Sequence, residues 1–161
     1  MGSICASRRQ GFLKVNLIGP KSADSAAVTH PEFVRALTRI LKQRACEVWI
    51  GDSSGGAIAG IAPTARSLKV AGYEKLAREE NAIIKNFDSE GVVEVSPKSK
   101  YGEKMYLAKP IFDADVVINL PKLKTHSANI YTGAVKNVFG CIPGLRKAKY
   151  HKVAPTPEEF G

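Results

Sequence analysis

Residues 114–120 read Ala-Asp-Val-Val-Ile-Asn-Leu, and this run decides the fold class. Its apolar stretch is continuous rather than alternating, the pattern of a central strand covered on both faces in a mostly parallel sheet. Such a sheet needs helices on either side, so the predicted architecture is an α/β fold, a three-layer α/β/α sandwich. Towards the N-terminus, residues 104–108 (KMYLA), 92–96 (VVEVS) and 82–87 (AIIKNF) read as further strands, the first two joined by a Pro/Lys/Gly-rich turn. A helix is predicted over 66–81, and 47–51 (EVWIG) is a short buried strand that opens into a glycine-rich loop over 52–60. Before it, Thr29 and Glu32 are spaced as a capping box and Pro31 suits a first helical turn. Phe33, Leu37, Ile40 and Leu41 then recur at helical spacing opposite Arg35, Arg39 and Lys42. The first strand, 12–18, breaks at Gly19-Pro20. Residues 1–11 are expected to be disordered and 12–161 to form one α/β domain. That domain is expected to be a truncated lobe, incomplete at its C-terminus, because Thr156-Pro157-Glu158-Glu159 starts a helix that Phe160 and Gly161 cannot finish.

The chain has 161 residues, with 24 Lys+Arg against 15 Asp+Glu and a formal charge of +9. At 44% hydrophobic and 24% charged residues it has a globular balance, which argues against disorder, collagen-like repeats and a small disulfide scaffold. Cys5, Cys46 and Cys141 are scattered, with no C-x-x-C pair, so neither a disulfide framework nor a ferredoxin-like run of iron-sulfur ligands is expected. Apolar runs fall far short of the roughly 18 residues that span a bilayer, so a soluble, cytoplasmic protein with no membrane partner is expected. Ser7-Arg8-Arg9 before Phe12-Leu13-Lys14 looks like a loosened twin-arginine signal, but no apolar region of about 7 to 15 residues follows.

Charge is uneven along the chain. Between residues 116 and 157 there is no acidic residue, while Lys122, Lys124, Lys136, Arg146, Lys147, Lys149 and Lys152 supply seven fixed positive charges, with His126 and His151 beside them. Such a field attracts anions, and it begins directly after the carboxyl end of the 114–120 strand, where open α/β sheets bind ligands. A solvated basic face, or one that fits an acidic partner, is the competing reading. Thr132-Gly133 opens a short helix that carries Lys136 and Asn137, a further anion-binding signal. The phosphate-loop spacing G-x-x-x-x-G-K-[ST] is absent, and the glycines at 55, 56 and 60 do not make a G-x-G-x-x-G fingerprint. The 52–60 loop is either a pocket wall of backbone donors, with Ser53 and Ser54 added, or a flexible connector. His30 reads as a surface residue. His126 and His151 suit proton transfer or metal ligation. Cys46 and Cys141 read as structural, and Asp113 and Asp115 as turn residues at the wrong end of the strand for a site.

Residues 12–151 resemble the bacterial and archaeal family known as domain of unknown function 362. The resemblance is carried by LKVNL (13–17), THPEFVRAL (29–37), VWIGDSSGG (48–56), and above all DVVINLPKLKTH (115–126), TGAVKNVFGCIPG (132–144) and His151. Members often carry a ferredoxin-type iron-sulfur module, which implies a cluster in a separate domain that this chain does not include. A more distant likeness joins a histidine after a strand, a Gly-x-x-Lys helix start, a Pro-Gly bend and a later histidine. This pattern is similar to the N-terminal lobe of nickel-pincer lactate racemases. That likeness implies proton or hydride chemistry at His126, covalent cofactor attachment at Lys136 and nickel ligation at His151. It departs at the 52–56 loop, where the racemases have a further histidine and this chain has none.

Together these readings predict a lobe that binds an anionic small molecule or a cofactor, with a nickel-pincer-type or other metal as candidate. Its cleft is lined by Lys14, Asn16, Ser53, Ser54, Lys122, Lys124, Lys136 and Asn137, with His126 and Lys136 as catalytic residues and His151 as metal ligand. Redox or isomerase-type chemistry is the expected activity, and whether the chain is an enzyme stays open. The second expectation is a non-catalytic partner whose basic face docks an iron-sulfur protein or domain. Nucleic-acid binding is disfavoured, since the chain has no aromatic-interleaved basic platform, recognition-helix pattern or zinc motif.

Overall fold

Four parallel strands form the centre of the molecule, β1 (Gln10–Lys14), β2 (Glu47–Asp52), β3 (Ile83–Asn86) and β6 (Val116–Asn119), in the order β3-β2-β1-β6. The computed structural model describes residues 9–55, 62–97, 102–126, 130–153 and 156. Between the strands run α1 (Pro31–Lys42), α2 (Thr64–Val70) and α3 (Tyr73–Glu79), then the antiparallel pair β4 (Val92–Val95) and β5 (Met105–Ala108), and the short α4 (Pro110–Asp113). After β6 come the antiparallel pair β7 (Lys124–His126) and β8 (Ile130–Thr132), then α5 (Ala134–Val138) and α6 (Arg146–Val153).

Alternation along the strands sorts side chains onto two faces. Leu13, Val48 and Ile50 point towards Val34, Leu41, Leu68 and Leu76 of α1–α3, forming the main core. Phe12 points the other way, against Phe87 and Ala108, with Trp49 and Ile111 packed on that group. Each fully buried aliphatic or aromatic side chain contributes roughly 1.5–3 kcal/mol, so the packing of both faces fixes the sheet. Gly51 is required by a close approach, since a Cβ there would lie 2.1 Å from the Lys85 carbonyl oxygen on β3.

The α/β class and the parallel sheet flanked by helices agree with expectation; several details differ. The 114–120 strand, expected at the centre, is the edge strand β6 among the described residues, and its side chains are mostly half-buried. The helix expected over 66–81 is two helices, because Gly72 turns the chain at φ +88° between α2 and α3. The expected first strand ends at Lys14, after which the chain leaves the ladder. Thr29 does not cap α1: His30 does, its Nδ1 accepting from the Glu32 amide. The Thr29 hydroxyl instead donates to the Leu120 carbonyl at 2.6 Å and accepts from the Asn16 amide, tying the end of β1 to the end of β6. Cys46 is disulfide-bonded, against expectation, while Cys141 is a buried free thiol. No helix among the described residues is long and apolar enough to cross a membrane. The expected helix start at Pro157 falls outside the described residues, as do residues 56–60 of the glycine-rich loop.

Candidate functional site

The carboxyl ends of β1 and β2 put Lys14 and Asp52 side by side, both almost wholly buried and 2.7 Å apart. The Asp52 carboxylate also accepts from the amides of Ser53 and Leu17, and the Lys14 ammonium donates to the Val15 carbonyl. With these extra partners the pair closes its own charge and fixes the two strand ends; taking both ions out of water makes it a poor source of net stability. Gly140 lies directly on it. A Cβ at that position would come within 2.3 Å of Asp52 Oδ1 and 2.7 Å of Lys14 Nζ, so the backbone after α5 seats there only as glycine.

Beside the pair runs a chain of amide hydrogen bonds. Asn137 of α5 donates to Asn119 Oδ1 at 2.7 Å and to the Val15 carbonyl, and accepts from Asn16 Nδ2 at 2.9 Å. Asn119 donates to the Ala134 carbonyl, and Lys124 of β7 donates to Asn16 Oδ1 and to the Ala27 carbonyl. Three carboxamides thus hold α5 and β7 over the ends of β1 and β6. With five residues, α5 offers little helix dipole, so the cationic field here is set by side chains rather than by the expected helix start.

On the other side stands Ser53. Its hydroxyl donates to Asp88 at 2.7 Å and accepts from the Gly144 amide and from Lys147 Nζ. Lys147 also donates to the carbonyls of Ser53 and Ser54. Its ammonium therefore sits among neutral acceptors, and burial pushes its pKa down to about 8. Burial likewise lowers Lys136 and, against the nearby Asp52, Lys124.

Lys124, Lys136 and Lys147 line one cleft of about 220 Å³, with Asn16, Ser53 and Asn137 between them. Leu17, Ile18 and Phe139 give it an apolar side, and no carboxylate lines it among the described residues. Of the residues expected at the site, the structure gathers Asn16, Ser53, Lys124, Lys136 and Asn137. Lys14 lies beneath the cleft, bound to Asp52. Ser54 is buried and does not line it: its backbone amide donates to the Thr64 hydroxyl, and its own hydroxyl shares a hydrogen bond with Ser67. Lys122 is half-buried and does not line the cleft. His126 ends β7 and His151 lies in α6, but their side chains fall outside the description. Lys147 and Gly140 were not singled out by the sequence. Their one signal was the Pro143-Gly144 bend, which turns the chain back over the Ser53 loop.

A family model for the domain of unknown function DUF362 matches residues 12–160. The chain belongs to the DUF362 family. A curated relative, the thylakoid-associated protein sll1697 of Synechocystis sp., is 33% identical over 155 residues. The alignment covers 96% of this chain and 46% of that protein, so the DUF362 chain spans less than half the length of this relative. The relative's thylakoid association does not bear out a cytoplasmic location. No solved structure matches the chain. Nothing in these matches carries the lactate racemase likeness, which rests on the spacing of His126, Lys136 and His151. Among the described residues, no group of three or more His, Cys, Asp or Glu side chains is placed to hold a metal ion.

Proposed function

We propose that this DUF362 lobe binds an anionic small molecule, carboxylate or phosphate in class, in the cleft at the carboxyl edge of its sheet. One observation carries the reading: three lysines converge on a single cavity whose lining, among the described residues, holds no carboxylate. Gathering like charges while partly removing them from water is costly, and an anion that enters adds counter-charge at the point where they converge. Lys147 and Lys124 would hold its acidic groups, Asn16 and Asn137 would orient it, and Lys136 would act on it with His126 as acid or base. Redox or isomerase-type chemistry is the activity class that this arrangement suits. A metal-containing cofactor held through Lys136 and His151 is an extension of this reading, and anion binding does not depend on it.

Convergence in one concavity favours a ligand site over the second reading, in which the basic face docks an acidic iron-sulfur protein. Calorimetric titration with inorganic phosphate and with citrate tests the proposal. The wild type should bind at least one of them, and Lys147→Met and Lys124→Gln should each weaken it about tenfold or more, as loss of a charged hydrogen bond does. Unchanged affinity in both variants, or no binding by the wild type, would sink it. Elemental analysis and intact mass of the wild type, Lys136→Ala and His151→Ala test the cofactor extension separately.

A further inference from the structure

The three most exposed large apolar side chains among the described residues are Val135 at 90%, Leu123 at 76% and Tyr131 at 65%. All three come from one stretch of chain around the β7–β8 pair and the start of α5. Leu123 and Tyr131 flank Gly133, each 3.8 Å from where its Cβ would stand. In the register of β7 with β8, Lys124 faces Thr132 and Thr125 faces Tyr131. Lys124 and Thr132 line the cleft, so alternation turns Leu123 and Tyr131 to the outer side. Val138, one turn after Val135 on α5, is also half in solvent. Large apolar groups this exposed and this close mark an interaction site.

The chain that carries them is cationic: Lys122 immediately precedes Leu123, and the whole 116–157 stretch lacks an acidic residue. We infer that this face is an interfacial anchor, laying Leu123, Tyr131 and Val135 into the headgroup boundary of an anionic lipid surface while Lys122 and the protein's net charge of +9 draw it to the headgroups. The side chains project separately from a narrow ribbon and a one-turn helix. A fluid acyl boundary accepts such a shape without a matching pocket, whereas a protein partner needs complementary packing. Tyrosine suits the position, with an apolar ring and a polar tip. The inference is independent of the anion cleft, because the anchor points away from it.

Sedimentation of the whole chain with phosphatidylcholine vesicles, with and without phosphatidylglycerol, tests it. The wild type should pellet with phosphatidylglycerol vesicles and stay in the supernatant with phosphatidylcholine alone. The triple variant Leu123→Ser, Tyr131→Ser, Val135→Ser replaces exposed groups, so its melting curve should match the wild type while its bound fraction falls about tenfold. Lys147→Met, which disables the cleft, should still pellet. A wild type that ignores both vesicle types, whether or not it binds an acidic protein, overturns the lipid assignment. So does a triple variant that pellets like the wild type.

Discussion

Lys147 is the residue through which protonation reaches the cleft. In the free protein its amine loses its proton near pH 8, held down by burial. A bound anion stabilises the ammonium and raises that value, so affinity for phosphate or citrate should fall as pH rises through 8. Around that pH, binding should take a proton from the buffer, seen as a heat that changes with the buffer's ionisation enthalpy. The same displacement bears on stability. Between about 8 and the ordinary 10.5, the unfolded chain holds more protons than the folded one, so stability from this group rises with pH through that window. Comparing urea melts of the wild type and Lys147→Met across it should show the wild type gaining on the variant, and parallel curves would refute the assignment. Gly140 makes a second prediction at this scale. Gly140→Ala forces a methyl group against a buried ion pair and should cost about 1–3 kcal/mol in urea melts, with loss of anion binding.

Among the elements, α5 shows how a short helix is held in place. It has too few residues to be stable alone, and Asn137 substitutes for length by bonding to both β1 and β6. Asn137→Leu keeps the volume but leaves the Asn16 and Asn119 amides and the Val15 carbonyl without their partner. It should destabilise by about 2–4 kcal/mol and weaken anion binding, whereas Arg35→Gln on the far α1–α3 surface should cost no more than about 1 kcal/mol and leave binding intact. What was legible in the sequence follows the same division. The helix at Phe33, Leu37 and Leu41 and the strand at EVWIG were readable because their spacing is local, but the buried face of the helix is Val34, Thr38 and Leu41, and Phe33 and Ile40 stay exposed. The break at Gly72 was not, since one glycine within a helical pattern leaves continuation and hinge both open. The edge place of β6 was not either, because an apolar run records burial and carries nothing about which strand it pairs with. Of the cleft, Asn16 was legible as a polar residue in the first strand, Lys124 from the basic stretch after the 114–120 strand, and Lys136 and Asn137 from the Thr132-Gly133 helix start. Lys147 looked like its basic neighbours, and only the bend at Gly144 distinguishes it.

For the molecule as a whole, a formal charge of +9 makes every encounter with an anion a matter of ionic strength. The screening length is about 10 Å at 0.1 M salt and about 3 Å at 1 M. Association rates with phosphate-bearing ligands should therefore fall steeply between these salt concentrations, while dissociation from the partly buried cleft should change much less. Stopped-flow measurements at the two concentrations separate the terms. The Ser53 hydroxyl carries a last consequence, for it joins Asp88, Gly144 and Lys147, groups 35 to 94 positions away along the chain. Local helices can form while the chain is still being made, but contacts of such separation close late. A nascent chain that has not yet released Lys147 from the ribosome has β1–β3 and α1–α3 available, yet no cleft. An anion bound in the cleft, as proposed, would meet only a finished lobe, and its arrival would be a seal on the last step of folding rather than a template for the first.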